Sequence, residues 1–225
     1  SGVSSSGSGN VTIDLGNKSE ISATTTGTSS LVRAIDLGTN STFKINEGTI
    51  NATRVSNPNN VSGQTYGINA NGKADIQLGD KTTINATSDS GSTKGIYLSN
   101  LGTGTTVTAN ELQINVSGVV VDGIYGTGNI NLGNGGKIDV KGNGTVRGIE
   151  LDPGSSLKAN GLEIVVVATG ERYGMGLRIE KATVDLGVGT SINVSNGYGI
   201  YAISTGSTIV ANGLTVSATK GYGLK

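Results

Sequence analysis

The chain returns repeatedly to a glycine followed by an aliphatic residue. Gly67-Ile68, Gly95-Ile96, Gly123-Ile124, Gly148-Ile149, Gly176-Leu177, Gly199-Ile200 and Gly223-Leu224 recur at intervals of 23 to 28 residues, each followed by a short alternating run. That interval is the length of one structural repeat. An element of this size cannot bury a hydrophobic face alone, so successive copies must stack on one another. The 225 residues therefore read as one elongated domain, with the Ser/Gly-rich residues 1–10 as a flexible or edge segment.

Two further phrases fix the content of a repeat. Val11, Ile13 and Leu15 alternate with Thr12 and Asp14, the period of two that marks a half-buried strand, and Gly16-Asn17 ends it. The same pattern returns at Ile76-Gln77-Leu78-Gly79, Ile130-Asn131-Leu132-Gly133 and Val184-Asp185-Leu186-Gly187, the last two intervals both being 54 residues. Val107-Thr108-Ala109-Asn110, Leu157-Lys158-Ala159-Asn160 and Ile209-Val210-Ala211-Asn212 alternate with it at intervals of 50 and 52 residues. Each long period holds two glycine returns, so the unit is a pair of coils, about eight coils in all.

Within one coil, Ile96 and Leu98 form a first strand, Val107 and Ala109 a second, and Leu112, Ile114 and Val116 a third, before Gly123 opens the next. Three short strands per coil, each pairing with its counterpart one coil on, make an all-β parallel β-helix. Helices are excluded because apolar residues do not recur at three and four, and Gly, Asn, Thr and Ser depress helix propensity. One Phe and no Trp point to an interior too narrow for large rings. Asn110, Asn160 and Asn212 are expected at a corner, in the left-handed conformation and bonded to neighbouring coils.

Composition removes several function classes. With 38 Gly but only 2 Pro, the glycines punctuate turns and do not build collagen or Pro-rich disorder. Charged residues are 14% of the chain, 16 basic against 16 acidic, so no field draws nucleic acid or an anionic membrane. Without Cys there are neither disulfides nor thiolate metal sites, and without His the commonest proton shuttle and the Ser-His nucleophile are missing. No apolar run is long enough to insert into a membrane. Gly133-Asn134-Gly135-Gly136-Lys137-Ile138-Asp139 occurs once, whereas glycine-rich calcium sites need tandem copies. Gly126-Thr127-Gly128 lacks the third glycine and the helix of a phosphate loop, so no cofactor is expected.

Positions following the glycine-aliphatic pair form one outward column: Asn69, Tyr97, Tyr125, Glu150, Arg178, Tyr201 and Lys225. Tyr97, Tyr125, Glu150, Arg178 and Tyr201 are the candidate partner-binding residues. Tyrosines on neighbouring coils offer apolar faces with hydroxyl tips, suited to sugars or protein interfaces, or else simply pack across the strands. Glu150 and Arg178 are expected to form a ladder ion pair, worth about 0.2 to 1 kcal/mol if exposed. Tyr66, Tyr173, Tyr198 and Tyr222 precede a glycine and are read as covering the turn. Glu150 and Asp152, two apart on a strand and about 7 Å from each other, fall within the inverting glycosidase range of about 6.5 to 9.5 Å. The turn signal Pro153-Gly154 follows at once, however, and the chain is read as a non-enzyme.

The phrases Ala159-Asn160-Gly161-Leu162, Ala211-Asn212-Gly213-Leu214, Gly199-Ile200-Tyr201 and Ile130-Asn131-Leu132-Gly133 resemble those of classical autotransporter passenger domains, the pertactin-like and self-associating adhesin group of Gram-negative bacteria. The resemblance runs from Val11 to Lys225. It implies a right-handed parallel β-helix displayed at the bacterial cell surface through a C-terminal membrane barrel, or secreted. It further implies an adhesin that attaches to a host-cell surface protein or glycan, or to identical passengers on neighbouring cells in aggregates and biofilm. A polysaccharide lyase or hydrolase, and a passive stalk, are the alternatives on the same fold.

Overall fold

The computed structural model describes residues 2–5, 10–27, 31–56, 63–99 and 104–225, and every helix or strand among them is a strand. One coil consists of Ser92–Leu98, Thr106–Asn110 and Gln113–Gly118. Each strand pairs in parallel with its counterpart one coil away, for example Ser92–Leu98 with Val120–Gly126 on one side and Gln64–Ala70 on the other. The result is three eight-stranded sheets, with seven turns of chain between the first and last strand of each. The expected parallel β-helix of three strands per coil is the observed architecture. Val3–Ser5 is the edge strand of the first sheet, against Leu31–Leu37. Residues 6–9 of the expected edge segment lie outside the described residues.

Register places like residues over like inside the solenoid. Ile68, Ile96, Ile124, Ile149, Leu177 and Ile200 form one aliphatic column on the first sheet. Ile50, Ile84, Ile114, Ile138, Ile164 and Ile192 form another on the third. All are at most 3% exposed, so nearly their whole apolar surface is removed from water. Burial of an Ile or Leu side chain is worth roughly 1.5 to 3 kcal/mol. The interior is wider than the composition indicated: Phe43 is fully buried in the second sheet, between Ile13 and Ile76.

The recurring glycine has a different task from the one expected. It lies inside the first strand of each coil, not at a turn that opens it. A Cβ on Gly95 would stand 2.5 Å from Ile114 Cγ2, and one on Gly148 would stand 2.4 Å from Ile164 Cγ2. Each glycine therefore faces inward against the isoleucine column of the third sheet. The aliphatic residue after it also faces inward, which breaks strict alternation and bends the strand.

The asparagine corner also differs in detail. Asn110, Asn160 and Asn212 do sit where the second strand ends, but the left-handed residue is the next one: Glu111 (φ 51°), Gly161 (φ 62°) and Gly213 (φ 67°). The asparagine side chains instead bridge coils. Asn110 Nδ2 donates to Asp80 Oδ1 at 3.0 Å, and Asn160 Nδ2 donates to Asn134 Oδ1 at 2.8 Å. The backbone amides of Asn134 and Val188 donate to the Oδ1 atoms of Asn110 and Asn160 at 2.9 and 2.7 Å.

The glycine contact predicts opposite outcomes for one substitution at two copies of the phrase. A Cβ on Gly123 would lie 2.4 Å from both Ile138 Cγ2 and Gly148 O, whereas one on Gly223 meets nothing closer than 3.8 Å. Gly123→Ala is expected to destabilise by about 1 to 3 kcal/mol through overpacking. Gly223→Ala is expected to be neutral or slightly stabilising, because it restricts only the unfolded chain. Urea midpoints of the two variants measure the difference.

Candidate functional site

The bend at the glycine brings two outward columns together. The residue after the glycine-aliphatic pair forms the expected ladder, with Asn69, Tyr97, Tyr125, Glu150, Arg178 and Tyr201 as successive partners. All five predicted site residues thus lie on one column. The residue before the glycine forms a second: Tyr66, Lys94, Asp122, Arg147, Met175 and Tyr198. Two successive inward residues separate the columns, so both face out and their side chains converge over the bend. Arg33 and Asp36 meet at 2.8 Å in this way, as do Arg147 and Glu150 at 2.7 Å.

The resulting crease is closed, although it lies on the outside of the solenoid. Asp122 is 0% exposed, Asn69 1%, Glu150 4%, Tyr66 5% and Lys94 9%. Buried charges require partners, and each one has them. Lys94 Nζ lies 3.2 Å from Asp122, which also accepts from both Nε and a terminal nitrogen of Arg147. Glu150 is held between Arg147 and Arg178. The expected Glu150–Arg178 ladder pair is formed, and it is part of a buried network, with Glu150 closed off from solvent. Burial pushes the Glu150 carboxyl above the ordinary glutamate range, against the pull of Arg147 and Arg178.

Aromatic rings fill the crease on either side of these ions. Tyr66 and Tyr97 stack with centroids 5.3 Å apart, and Tyr97 and Tyr125 at 5.6 Å. The Lys94 ammonium lies 5.1 to 5.9 Å from all three ring centroids, and the Arg147 guanidinium lies 5.8 Å from that of Tyr125. Tyr198 gathers Tyr173, Tyr201 and Tyr222 at 5.4 to 5.9 Å, with Lys225 5.1 Å from its ring. The inner tyrosines thus turn their faces to each other and to cations. Tyr66 is buried and Tyr97, Tyr125, Tyr198 and Tyr201 are only partly exposed, so much of the flat ring surface that could stack on a sugar is taken up within the protein. Tyr173 and Tyr222, 51% and 64% exposed, are the rings left open.

Tyr66, Lys94, Asp122, Arg147 and Tyr198 are the members of the crease that sequence reasoning missed as a column. Strict alternation puts residues three apart on opposite faces, so Tyr66 and Tyr198 read as turn covers. The signal was present in Arg33-Ala34-Ile35-Asp36 and Arg147-Gly148-Ile149-Glu150, where opposite charges flank two inward residues. Asp152 lies past the end of the strand Val146–Leu151, in a turn where its carbonyl accepts from Ser155 Oγ at 2.7 Å. Glu150 is locked between two guanidiniums, so the supposed acid pair lacks one free member. Among the described residues no group of three or more His, Cys, Asp or Glu side chains is placed to hold a metal ion. Comparison with protein-family models, with curated proteins and with solved structures finds no match.

Two outcomes follow from the closed crease. Arg147→Ala leaves Asp122 buried with only Lys94 and is expected to cost about 3 to 5 kcal/mol in a denaturant titration. Burial, reinforced by the nearby Tyr97 and only partly offset by Arg33, pushes the Tyr66 phenol from 10.0 up to about 12. The folded chain keeps that proton where the unfolded chain releases it. The associated stability is complete below pH 10.0 and is lost as pH rises through about 12. Absorbance titration is expected to show a late phenolate near pH 12 that Tyr66→Phe removes.

Proposed function

We propose that this chain is a rigid segment of a surface-displayed adhesin, of the kind its resemblance to autotransporter passengers implies. It attaches cells to a host surface protein or glycan, or to identical rods on neighbouring cells. The observation that carries the reading is the outer face of the third sheet. There Asn51, Asn85 and Asn115 stand in one column, with Thr53, Thr87 and Ser117 in the next. Asn115 donates to Asn85 and Asn85 to Asn51, each at 2.9 Å, which holds the side chains at the coil spacing. Such a face presents many ordered, uncharged polar groups at low entropic cost, and aligned copies multiply weak contacts through avidity. The balanced charge of the chain lets like surfaces approach.

Display of the chain on a non-adherent bacterium is expected to produce clumping or attachment to cultured cells. Thr53→Lys with Ser117→Lys, two coils apart and separated by about 10 Å, is expected to abolish clumping by like-charge repulsion while leaving the fold intact. Displayed chain that neither clumps nor attaches would overturn the adhesin reading and leave a spacer. Clumping unchanged by the two lysines would move the contact to another face.

A further inference from the structure

The outer face of the second sheet carries a trough of about 600 Å³. Its floor is a register column of Thr12, Thr42, Asp75 and Thr106, and Asn40 and Lys73 stand at the corner that precedes the sheet. A second hollow of about 240 Å³ continues it past Lys44 and Gln77, with Asp75 common to both.

The polar groups here differ from those of the crease and of the third-sheet asparagine column in having capacity left. In the crease every charge is paired, and on the third sheet the Asn51, Asn85 and Asn115 amides donate along their own column. In the trough, Asn40, Thr42 and Lys73 make no side-chain hydrogen bond or ion pair among the described residues. Asp75 accepts from Thr106 Oγ1 at 2.6 Å and from Gln77 Nε2 at 2.7 Å, which fixes the carboxylate and leaves lone pairs free. The corner bearing Lys73 is also fixed. Buried Thr105 donates to Gly72 O at 2.9 Å and accepts from the Ala74 amide at 3.3 Å. The site is thus preorganised in its backbone and open in its side chains.

We propose that the trough binds an acidic glycan, a chain of uronic-acid sugars lying along the solenoid axis. Lys73 takes a carboxylate, while Asn40, Thr42 and Asp75 take ring hydroxyls. Three features select this class. The side chains lining it are hydroxyls, amides, one carboxylate and one unpaired ammonium, with Ala74 the one apolar side chain, unlike the pockets lined by large apolar side chains that take lipids or drug-like ligands. Adjacent coils repeat that lining every 4.8 Å or so, which suits a ligand that is itself a repeating chain. A single free cation beside a carboxylate fits a ligand held mainly through its hydroxyls with one carboxylate on Lys73, and not the dense phosphates of a nucleic acid. The inference stands apart from the adhesin reading, since it needs only the purified chain.

Calorimetric titration of the purified chain tests it, with short oligogalacturonate, its carboxyl-reduced neutral counterpart and poly-glutamate as probes. Oligogalacturonate is expected to bind, and the other two to bind about tenfold more weakly or not at all, as loss of one charged hydrogen bond or of the hydroxyl contacts requires. Lys73→Gln, on an exposed side chain and checked for strand content by circular dichroism, is expected to lose about tenfold in affinity. No binding of oligogalacturonate, equal binding of poly-glutamate, or an unaffected Lys73→Gln variant would each overturn the site. Binding to the purified chain supports it whether or not displayed chain attaches cells, so the two readings fail separately.

Discussion

The contact on which the rest of this molecule depends is a glycine pressed against isoleucine. In five successive coils, from Gly67 to Gly176, the first strand crosses the isoleucine column of the third sheet at a distance that leaves no room for a Cβ: 2.4 Å to Ile84 from a Cβ on Gly67, and 2.2 Å to Ile192 from one on Gly176; one coil earlier the small residue at the same register is Ala34. That approach draws the strand inward for two residues instead of one. The bend then decides what happens outside, because it aims the flanking side chains at each other. The same small residue therefore sets both the packing of the core and the existence of the crease.

The crease in turn explains how a weakly charged chain keeps several ionised groups out of water. Isolated ions would not tolerate such burial, and even paired ones gain little over apolar replacements. Here the ions are interleaved by register, with Lys94 and Arg147 on either side of Asp122, and Arg147 and Arg178 about Glu150. Each carboxylate thus bridges two cations from neighbouring coils, or from its own coil and the next. Stacked tyrosines close the row and give the cations ring faces to rest on, a contact worth about 0.5 to 2 kcal/mol each. Because Lys94–Asp122, Arg147–Asp122 and Arg178–Glu150 each join neighbouring coils, the crease ties coil to coil in the direction where otherwise only ladder hydrogen bonds and core contacts act. It is best understood as a longitudinal brace.

Much of this was legible in the sequence, and the limit has a definite physical origin. Spacing alone gave the coils, the three strands in each, and the ladder from Asn69 to Tyr201, since a parallel solenoid converts sequence interval directly into spatial column. What failed was the assumption that side chains alternate without interruption. Tyr66, Lys94, Asp122 and Arg147 lie three residues before the ladder members, on the opposite face by strict alternation, so Tyr66 read as a turn cover and the other three went unread, because the bend changes the parity of everything upstream of it. The Glu150–Arg178 pair was legible from spacing, but the neighbours that bury it were not. The corner residues were misread by one place for a simpler reason. Glycine or a tolerant residue after each asparagine takes the left-handed conformation, which leaves the asparagine side chain free to bond the next coil.

The asparagine rows show why the three outer faces are not equivalent. In the row Asn115, Asn85, Asn51 the amides donate in one direction and end on the Glu20 carboxylate at 3.2 Å. Asn110 ends on Asp80, and Asn69 on Asp36, with the carboxylate again one coil toward the N-terminus. Amide dipoles aligned head to tail and terminated by a negative charge strengthen one another. Such rows stiffen the face and leave each amide one N–H and one lone pair, at fixed positions, for anything outside it. A surface built this way can match another ordered surface over a broad area, yet it has no reason to grip a small flexible molecule. Specific recognition has to come from positions where the row is interrupted. The second sheet supplies one: Asp75 stands among Thr12, Thr42 and Thr106, held by Thr106 and Gln77 from the side, while Asn40 and Lys73 at the adjoining corner remain uncommitted. Division of labour between self-bonded and uncommitted polar faces follows from the same register that stacks the core.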